Sequence, residues 1–403
     1  MPSLEGSREA KNVDLARLVH AANDTRPIAG LTHTFYRYPA RFSPNFARAA
    51  ILEFSKPGDW VLDPFVGGGT TLVESLANGR NAIGVDISEL AVFVCEAKTQ
   101  YMGHDDIKTI NSWMQRLPDT INIHRPSRRS PDYAAAGYYR HLDHKKYWRL
   151  RKAIEQVLES IERLRREPAR KLARCILLRT AQWALDGRKT LPTIKAFRGE
   201  IVKQAKSMIA ASEDFRGQLR AANMSANPHS ICLQRSTVGL ENDPCLRQTP
   251  PPKLVLTSPP YPGIHVLYHR WQVDGRKESP APFWIASRLD GAGSSYYTMG
   301  DRKYPELRTY FDNLRASFSS VTQLCSAETT IVQMVAFSDP DWQLPRYLEV
   351  MEECGLQEVL PWELDGPEGD CRLWRQVPNR KWHAHQKDNA PGSREVVLVH
   401  RKT

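Results

Sequence analysis

The segment that most constrains the fold runs from Trp60 to Ser88 and reads WVLDPFVGGGTTLVESLANGRNAIGVDIS. An apolar run ends at Asp63, a glycine turn follows, and a helix-length segment begins near Thr71. A second apolar run then ends at Asp86. Apolar runs that alternate with a helical segment are typical of a βαβ unit with parallel strands. Because helices cover both faces of a parallel sheet, the segment predicts an α/β fold.

Strand-like runs return after residue 230, and the stretch before them differs in character. The later runs are SICLQRSTVG, KLVLTSPPY, ETTIVQMVAFSD and REVVLVHRK. With the earlier pair and one further strand, they predict a mostly parallel sheet of six or seven strands with helices on both faces. Residues 101–229 instead carry apolar residues at helical spacing among many charged ones, which predicts a largely helical insertion.

Charge and cysteine content narrow the class of protein. The chain has 56 Lys and Arg against 45 Asp and Glu, a formal net charge of +11. Such an excess favours a polyanionic partner, because phosphate backbones release counterions on binding. The 7 cysteines are scattered without a CxxC pair, which favours free thiols over disulfides or zinc. No signal peptide or membrane-spanning run is evident, so we expect a soluble intracellular protein with neither membrane nor metal partner.

The turn DPFVGGGTT, Asp63 to Thr71, has the composition of a ligand-binding loop. Glycines let the backbone approach a ligand, and free amides at a helix start favour electron-rich groups. The carboxylate of Asp86, at the end of the next strand, is suited to ribose hydroxyls. Leu72 replaces the third glycine of GxGxxG, and no GxxxxGK occurs, so the dinucleotide and phosphate loops are disfavoured. A turn that serves packing alone is the alternative.

This loop, together with HTFYRYPARFSP upstream (His33 to Pro44), resembles the S-adenosyl-L-methionine loop of amino-methylating DNA methyltransferases. The resemblance implies a Rossmann-like methyltransferase fold with a mostly parallel seven-stranded sheet. Residues 1–100 and 230–403 would form the catalytic domain, and 101–229 a DNA target recognition region. The expected cofactor contacts are Tyr38, Pro39, Ala40, Asp63, Pro64, Phe65, Gly67, Gly69, Thr70, Thr71 and Asp86.

A second motif, TSPPY from Thr257 to Tyr261, ends a buried apolar run. Prolines cannot donate to a sheet, so the strand ends there, where α/β folds bind their ligands. An exocyclic amine is a poor nucleophile, and acceptors at its two N–H groups hold it ready for methyl transfer. The Ser258 hydroxyl and the Pro259 carbonyl supply acceptors, Pro260 adds rigidity, and Tyr261 offers a face to an extruded base.

The residue before the prolines bears on the target base. In the family that the chain resembles, Ser-Pro-Pro-Tyr marks cytosine N4, and Asp or Asn in place of Ser marks adenine N6. Ser258 therefore favours cytosine N4, with adenine N6 as the alternative. Pro-Cys at Cys245 is also found in cytosine-C5 methyltransferases, but no Glu-Asn-Val segment follows, so we interpret Cys245 as a structural or surface residue.

Two features depart from the pattern that many SPPY enzymes show. The helical block lies between the glycine loop and TSPPY, which is like the α-type motif order and unlike the β-type order. After the third strand, LQRST offers Ser236 as the nearest candidate where related enzymes often have an Asp for the cofactor's adenine amine. We assign no residue to that contact.

Three segments carry the candidate DNA contacts. HRPSRRSPDYAAAGYYRHLDHKKYWRLRK and VLYHRWQVDGRK mix Arg and Lys with Tyr and Trp, which suits phosphate contact and base stacking. VPNRKWHAHQK adds His383 and His385, which lack a third ligand and so disfavour a metal. A solvated, charge-rich surface is the alternative. The candidate residues are Arg128, Arg129, Lys145, Lys146, His269, Arg270, Arg276, Lys277 and Arg380.

The sequence therefore favours an S-adenosyl-L-methionine-dependent enzyme that flips a cytosine from double-stranded DNA and methylates N4. The resemblance implies a prokaryotic, cytoplasmic and nucleoid-associated protein in a restriction-modification or defence setting, with a cognate restriction endonuclease as a candidate partner. The alternatives are adenine N6 methylation and a DNA-binding module that keeps the fold without catalysis. Methylation of RNA or of a protein glutamine is less favoured, because those enzymes prefer Asn or Asp before the prolines.

Overall fold

The computed structural model describes residues 15–38, 43–222, 229–262, 270–291, 299–300, 304, 306–360, 371–376 and 394–403. These residues hold twelve α-helices and ten β-strands, together with short 3-10 turns. The strands are β1 (Trp60–Asp63), β2 (Asn81–Asp86), β3 (Ser230–Gln234), β4 (Leu254–Thr257), β5 (Trp271–Val273), β6 (Lys277–Ser279), β7 (Thr330–Val335), β8 (Leu356–Glu358), β9 (Leu373–Gln376) and β10 (Arg394–Lys402).

The helices fall into three groups along the chain. Those of the N-terminal part are α1 (Leu15–Ala22), α2 (Pro44–Phe54), α3 (Thr70–Ala77) and α4 (Glu89–Thr99). The middle group is α5 (His104–Thr120), α6 (Pro131–Ala135), α7 (Trp148–Glu162), α8 (Glu167–Leu185) and α9 (Ile194–Ala221). The last group is α10 (Ala281–Ala286), α11 (Arg308–Leu324) and α12 (Pro340–Glu353). In the parts of the chain that the structure describes, no helix has the length and apolar character needed to span a membrane.

One mixed sheet forms the centre of the molecule. Its order is β3-β2-β1-β4-β7-β10-β8, with β9 paired to β10. The strands from β3 to β7 are parallel, and β10 runs antiparallel to β7, β8 and β9. The prediction of an α/β fold with a mostly parallel sheet is confirmed.

The described sheet has eight strands, one more than the seven expected. The additional strand is β9, and the length of β10 explains it. The first half of β10 pairs with β9 and its last three residues pair with β8, while β7 lies on the other side. A strand of nine residues therefore has room for two short neighbours along one edge.

Alternating side chains divide the core between the two faces of the sheet. On β1, Val61 packs in one cluster with Leu254 and Leu256, whereas Leu62 packs in another with Val255. Successive residues of a strand point to opposite faces, so an apolar run such as LVLT must be covered on both. All four residues of β4 are buried, as this arrangement requires.

The helical block from α5 to α9 has a core of its own, which reaches beyond the expected insertion. Trp271, Val273 and Phe283, all later in sequence than TSPPY, are buried in this core. Phe35 and Tyr36, from the segment upstream of the glycine loop, join it as well. The division into 1–100 with 230–403 and 101–229 stays a prediction, but residues 271–286 pack with the helical block.

Candidate active site

Asp63, the last residue of β1, connects the two motifs found in the sequence. One carboxylate oxygen, Oδ2, accepts a hydrogen bond from the Thr71 hydroxyl at 2.7 Å. The other, Oδ1, accepts from the Thr257 hydroxyl at 2.8 Å and from the Phe65 backbone N–H at 3.2 Å. The carboxylate is buried, and burial raises the pKa of Asp63 to about 6. A single side chain thus holds the glycine loop next to the residue that precedes Ser258.

The glycine loop needs its glycines for two separate reasons. Gly67 and Gly69 have φ of +44° and +74°, in the left-handed region that side chains disfavour. A Cβ on Gly67 or Gly68 would lie 3.2 Å from the Tyr38 side chain, and one on Gly69 would lie 2.9 Å from Cys95 Sγ. The upstream segment therefore packs directly on the loop through Tyr38.

Asp86, the last residue of β2, holds the loop from its other side. Its Oδ2 accepts a hydrogen bond from the Gly67 N–H at 3.0 Å, and its Oδ1 accepts from the Ser88 N–H at 2.9 Å. Burial raises the pKa of Asp86 to about 6. Because a carboxylate has about four acceptor sites, both oxygens keep capacity for ribose hydroxyls.

Two residues of α4 also hold the glycine loop, and the sequence did not indicate either of them. The buried Lys98 ammonium donates a hydrogen bond to the Gly68 carbonyl, and the Cys95 thiol donates to the Gly67 carbonyl at 3.6 Å. A lysine on a helix is ordinarily exposed, and nothing in the spacing of this one distinguishes it from a surface charge.

Polar and charged side chains around the buried carboxylate of Glu74 fix the segment upstream of the loop. His33 Nε2 lies 2.7 Å from Glu74 Oε1, and Arg48 Nε donates to Glu74 Oε2 at 2.9 Å. Burial alone would raise the pKa of Glu74, but the hydrogen bonds from His33 and Arg48 lower it. Tyr36 accepts a hydrogen bond from Trp271 Nε1 at 2.9 Å. The segment is therefore held by α3 on one side and by β5 on the other.

The TSPPY tip is held by a chain of hydrogen bonds that reaches β10. The Ser258 hydroxyl donates to the Tyr261 hydroxyl at 3.0 Å, which in turn donates to Glu395 Oε1 at 2.7 Å. Glu395 is 2% exposed, and its other oxygen accepts from Arg375 Nε at 2.7 Å. Sequence reasoning missed Glu395 and Arg375. The only sequence signal for Glu395 was that a charged residue stands near the start of the apolar run REVVLV.

The two prolines of the tip differ in their surroundings. Tyr310 on α11 donates to the Pro260 carbonyl at 2.8 Å. Within the residues that the structure describes, no donor contacts the Pro259 carbonyl, the oxygen expected to accept from a substrate amine. Tyr310 is a further site-neighbouring residue that the sequence did not indicate.

Three other expected cofactor residues lie at the same edge of the sheet. The Pro64 carbonyl accepts from the Thr237 hydroxyl at 2.7 Å, and Phe65 packs against Phe318 with ring centroids 6.3 Å apart. Thr70, the first residue of α3, is buried, and its hydroxyl oxygen has no hydrogen-bond partner in the described chain. An unsatisfied buried hydroxyl beside the glycine loop is suited to a polar ligand.

The candidate DNA residues from two distant segments lie close together. The Lys146 ammonium pairs with Asp274, and so does that of Lys277 at 2.9 Å. Asp274 and Gly275 have φ of 57° and 86°, in the left-handed region, within the three-residue turn 274–276 that joins β5 to β6. Lys146 and Lys277 therefore lie on one surface, and their chain neighbours Lys145 and Arg276 are exposed.

The remaining candidate DNA-binding residues differ in whether their positive charge is paired with a carboxylate. Arg129 pairs with Asp143 at 3.0 Å, and Arg270 is largely buried with Asp290. Arg128, Lys145 and Arg276 are exposed, and within the described chain their side chains have no ion pair. Four predicted contact residues lie outside the described residues, namely Pro39, Ala40, His269 and Arg380. His383 and His385 lie outside them as well. No group of three His, Cys, Asp or Glu residues in the described ranges is arranged to hold a metal.

Parts of this chain are similar in sequence to known methyltransferases. Residues 10–95 match a family model described as DNA methylase. A 78-residue stretch is 35% identical to the Type II methyltransferase M.MjaII of Methanocaldococcus jannaschii, covering 19% of this chain and 15% of that protein. A 72-residue stretch is 43% identical to the Type II methyltransferase M.MvaI of Kocuria varians, covering 17% and 16%.

One similar protein is named for a different nucleic acid. A 76-residue stretch is 37% identical to a tRNA (guanine(10)-N2)-dimethyltransferase of Methanothermobacter thermautotrophicus, covering 19% of this chain and 23% of that protein. Each of these three matches spans less than a quarter of the relative's length.

Proposed function

We propose that this protein is a DNA methyltransferase that transfers a methyl group from S-adenosyl-L-methionine to an exocyclic base amine, with cytosine N4 as its target. The observation that carries the proposal is the Asp63 carboxylate. It binds Thr71 of the glycine loop and Thr257 of the TSPPY strand end, 2.7 and 2.8 Å away. The match of residues 10–95 to the DNA methylase model and the Type II relatives support a DNA amino-methyltransferase.

The residues around the glycine loop suit this cofactor. Asp86 would accept hydrogen bonds from its ribose hydroxyls, and the unsatisfied Thr70 hydroxyl would gain a partner. Asp63 and Asp86 bring negative charge to a site for a cationic ligand. When bound, S-adenosyl-L-methionine supplies a methyl group activated by its positively charged sulfur.

Ser258 and Pro259 are the proposed catalytic acceptors. The Ser258 hydroxyl already donates its own proton to Tyr261, so its oxygen is available to accept from an N–H group. The Pro259 carbonyl would accept from the other N–H of the same amine. With Tyr310 fixing the next carbonyl, at Pro260, the tip would hold an extruded base in one orientation.

The preference for cytosine N4 over adenine N6 rests on Ser258. The same acceptor geometry serves either amine, so the choice stays a proposal drawn from the SPPY resemblance. Double-stranded DNA as substrate, base flipping, and a restriction-modification setting with a cognate endonuclease belong to the same proposal. The Type II relatives support that setting.

Methyl transfer to DNA tests the function directly. Protein incubated with methyl-labelled S-adenosyl-L-methionine and duplex DNA of mixed sequence is expected to label the DNA, and nucleoside analysis to yield N4-methylcytosine. Ser258→Ala should lower the turnover number while the affinity for the cofactor stays nearly unchanged. N6-methyladenine in the digest would correct the base, and no methylated base from any duplex would refute the proposal.

RNA amine methylation is a second candidate. It is favoured by the 37% identity to a tRNA (guanine(10)-N2)-dimethyltransferase. Parallel assays with total tRNA and with duplex DNA separate the two, because the candidate predicts label in tRNA alone.

A further inference from the structure

We propose that Glu395 on β10 is a positioning residue that sets the direction of the hydrogen bonds at the TSPPY tip. In this role it keeps the Ser258 oxygen as an acceptor for the substrate amine. The inference rests on the proposed function and adds to it a residue that lies outside both sequence motifs. Tyr261 transmits the effect, and Arg375 fixes the orientation of the Glu395 carboxylate.

The four side chains form one continuous series. Ser258 Oγ and the Tyr261 hydroxyl are 3.0 Å apart, and the Tyr261 hydroxyl and Glu395 Oε1 are 2.7 Å apart. Arg375 binds the other carboxylate oxygen through Nε at 2.7 Å and Nη2 at 2.6 Å. The side chains of Glu395 and Arg375 are 3% and 11% exposed, so water competes little for these contacts.

The carboxylate determines the direction of every bond in the series. An ionised carboxylate accepts hydrogen bonds and donates none, so Tyr261 must give its single proton to Glu395. The Tyr261 oxygen is then left as an acceptor, and Ser258 gives it its own proton. The lone pairs of Ser258 Oγ consequently remain for a donor on the substrate side. An amine N–H is such a donor.

Arg375 determines how the side-chain amide of a glutamine at position 395 would be oriented. A guanidinium has only donors, so a glutamine at position 395 would turn its carbonyl oxygen towards Arg375 and its amide N–H groups towards Tyr261. Tyr261 would accept from that amide and donate to Ser258, which would then present its own proton to the substrate. Two facing N–H and O–H donors cannot bond, and the Tyr261 proton would occupy one of the two lone pairs of Ser258 Oγ, so one acceptor position for the substrate is lost although the shape is kept.

The decisive comparison is between Glu395→Gln and Glu395→Asp. Glutamine keeps the size and reverses the bonds, whereas aspartate is shorter but still only accepts. We expect Glu395→Gln to lower kcat for DNA methylation by roughly 10-fold to 100-fold, the effect of one lost acceptor in a buried site. Glu395→Asp should retain more activity than Glu395→Gln. In both variants, KM for S-adenosyl-L-methionine should stay within about 2-fold of the original value.

A matched control removes the same charge elsewhere in the sheet. Glu358 on β8 binds Arg372 through both carboxylate oxygens, at 2.8 and 2.7 Å. Glu358→Gln should leave kcat unchanged. Thermal unfolding and calorimetric cofactor binding show whether each variant is folded.

A double-mutant cycle gives an independent measurement, because Tyr261→Phe cuts the series without touching Glu395 or Arg375. If Glu395 acts through Tyr261, adding Glu395→Gln to Tyr261→Phe costs little further turnover. Greater activity of Glu395→Gln than of Glu395→Asp in folded proteins, or full additivity in the cycle, would overturn the inference. Failure of the proposed function is distinct, since the unmodified protein would then transfer no methyl group to DNA.

Discussion

Asp63 and Asp86 end neighbouring strands, and their charge depends on pH in a range where proteins are routinely studied. Burial raises the pKa of each from 3.8 to about 6. In the unfolded chain both carboxyls lose their protons near pH 4, whereas in the folded protein they keep them until about pH 6. The folded state therefore binds more protons in this window, and the contribution of these groups to stability falls as pH rises through it.

A bound cationic cofactor should favour the ionised forms of Asp63 and Asp86, which burial alone disfavours. Because S-adenosyl-L-methionine carries positive charge, it binds the ionised carboxylates more tightly, and its affinity should increase as pH rises from 5 to 7. Asp86→Asn should weaken binding at pH 7.5 by about 10-fold or more and make affinity less dependent on pH. Calorimetric titration at several pH values measures both effects. An equally steep dependence in Asp86→Asn would contradict the assignment.

Thr257 supplies a second prediction at the level of single residues. Thr257→Val preserves the shape but removes one of the two donors to Asp63 Oδ1, and the loss of a hydrogen bond to a buried carboxylate costs about 1–3 kcal/mol of stability. The lost hydrogen bond should also raise the pKa of Asp63 further, so the pH at which cofactor binding is half-maximal should move upward.

Thr322→Val provides the comparison for Thr257→Val. The Thr322 hydroxyl is buried and donates to the Phe318 carbonyl at 2.8 Å, within α11. Urea unfolding measures the stability of both variants, and calorimetry measures cofactor binding. For Thr322→Val, calorimetry should show no change in the pH dependence of cofactor binding. Equal effects of the two substitutions on that pH dependence would exclude the proposed link through Asp63.

At the level of elements, local patterns in the sequence predicted the units that contain them. The βαβ unit and the TSPPY strand end are each contiguous, and their apolar runs and turn residues carry the signal. Strand β9 was missed because its pairing depends on β10, a separate run of the chain. Glu395 and Lys98 were missed for a related reason, since a buried charge is recognised only from the partner that it meets in three dimensions.

The turn between β1 and α3 allows a test with an internal control. Gly69→Ala places a Cβ at φ +74° and 2.9 Å from Cys95 Sγ, so stability should fall by about 1–2 kcal/mol or more. Cofactor affinity should fall with it. In α9, Gly199 has open space around its Cβ position, and Gly199→Ala should stabilise the helix by about 0.5–1 kcal/mol. Urea unfolding measures both, and equal effects would contradict the geometry of the turn.

At the scale of the whole molecule, Asp274 brings together basic side chains from two distant segments of this positively charged chain. This residue pairs with Lys146 and Lys277, which are far apart in sequence, and Lys145 and Arg276 lie exposed beside them. The sequence indicated both segments as DNA-contacting candidates, but their proximity follows from the docking of the β5–β6 hairpin on the helical block. Gln272 contributes to this docking by donating its N–H to Asp186 at 3.0 Å.

The salt dependence of DNA binding tests this surface. If Lys145 and Arg276 each neutralise one phosphate, the double variant Lys145→Ala, Arg276→Ala should reduce the slope of log affinity against log salt by about 2. The reduction should be the same for unrelated duplex sequences. As a control, Lys56→Ala, Lys253→Ala removes two charges near the amino ends of β1 and β4, opposite the proposed site, and should leave the slope unchanged. An unchanged slope in the first variant would remove this surface from the DNA interface.

The contact between Tyr261 and Glu395 has a consequence for how the protein is made. The two residues are separated by 134 positions, so at about 5–20 residues per second the ribosome adds Glu395 roughly 7 to 27 seconds after Tyr261. During that interval the nascent chain already contains the glycine loop and TSPPY, but not the carboxylate that orients Ser258. A chain released early would contain both the glycine loop and TSPPY and still lack an ordered acceptor. Under the proposed function, full methyl-transfer activity would therefore begin only once β10 has joined the sheet.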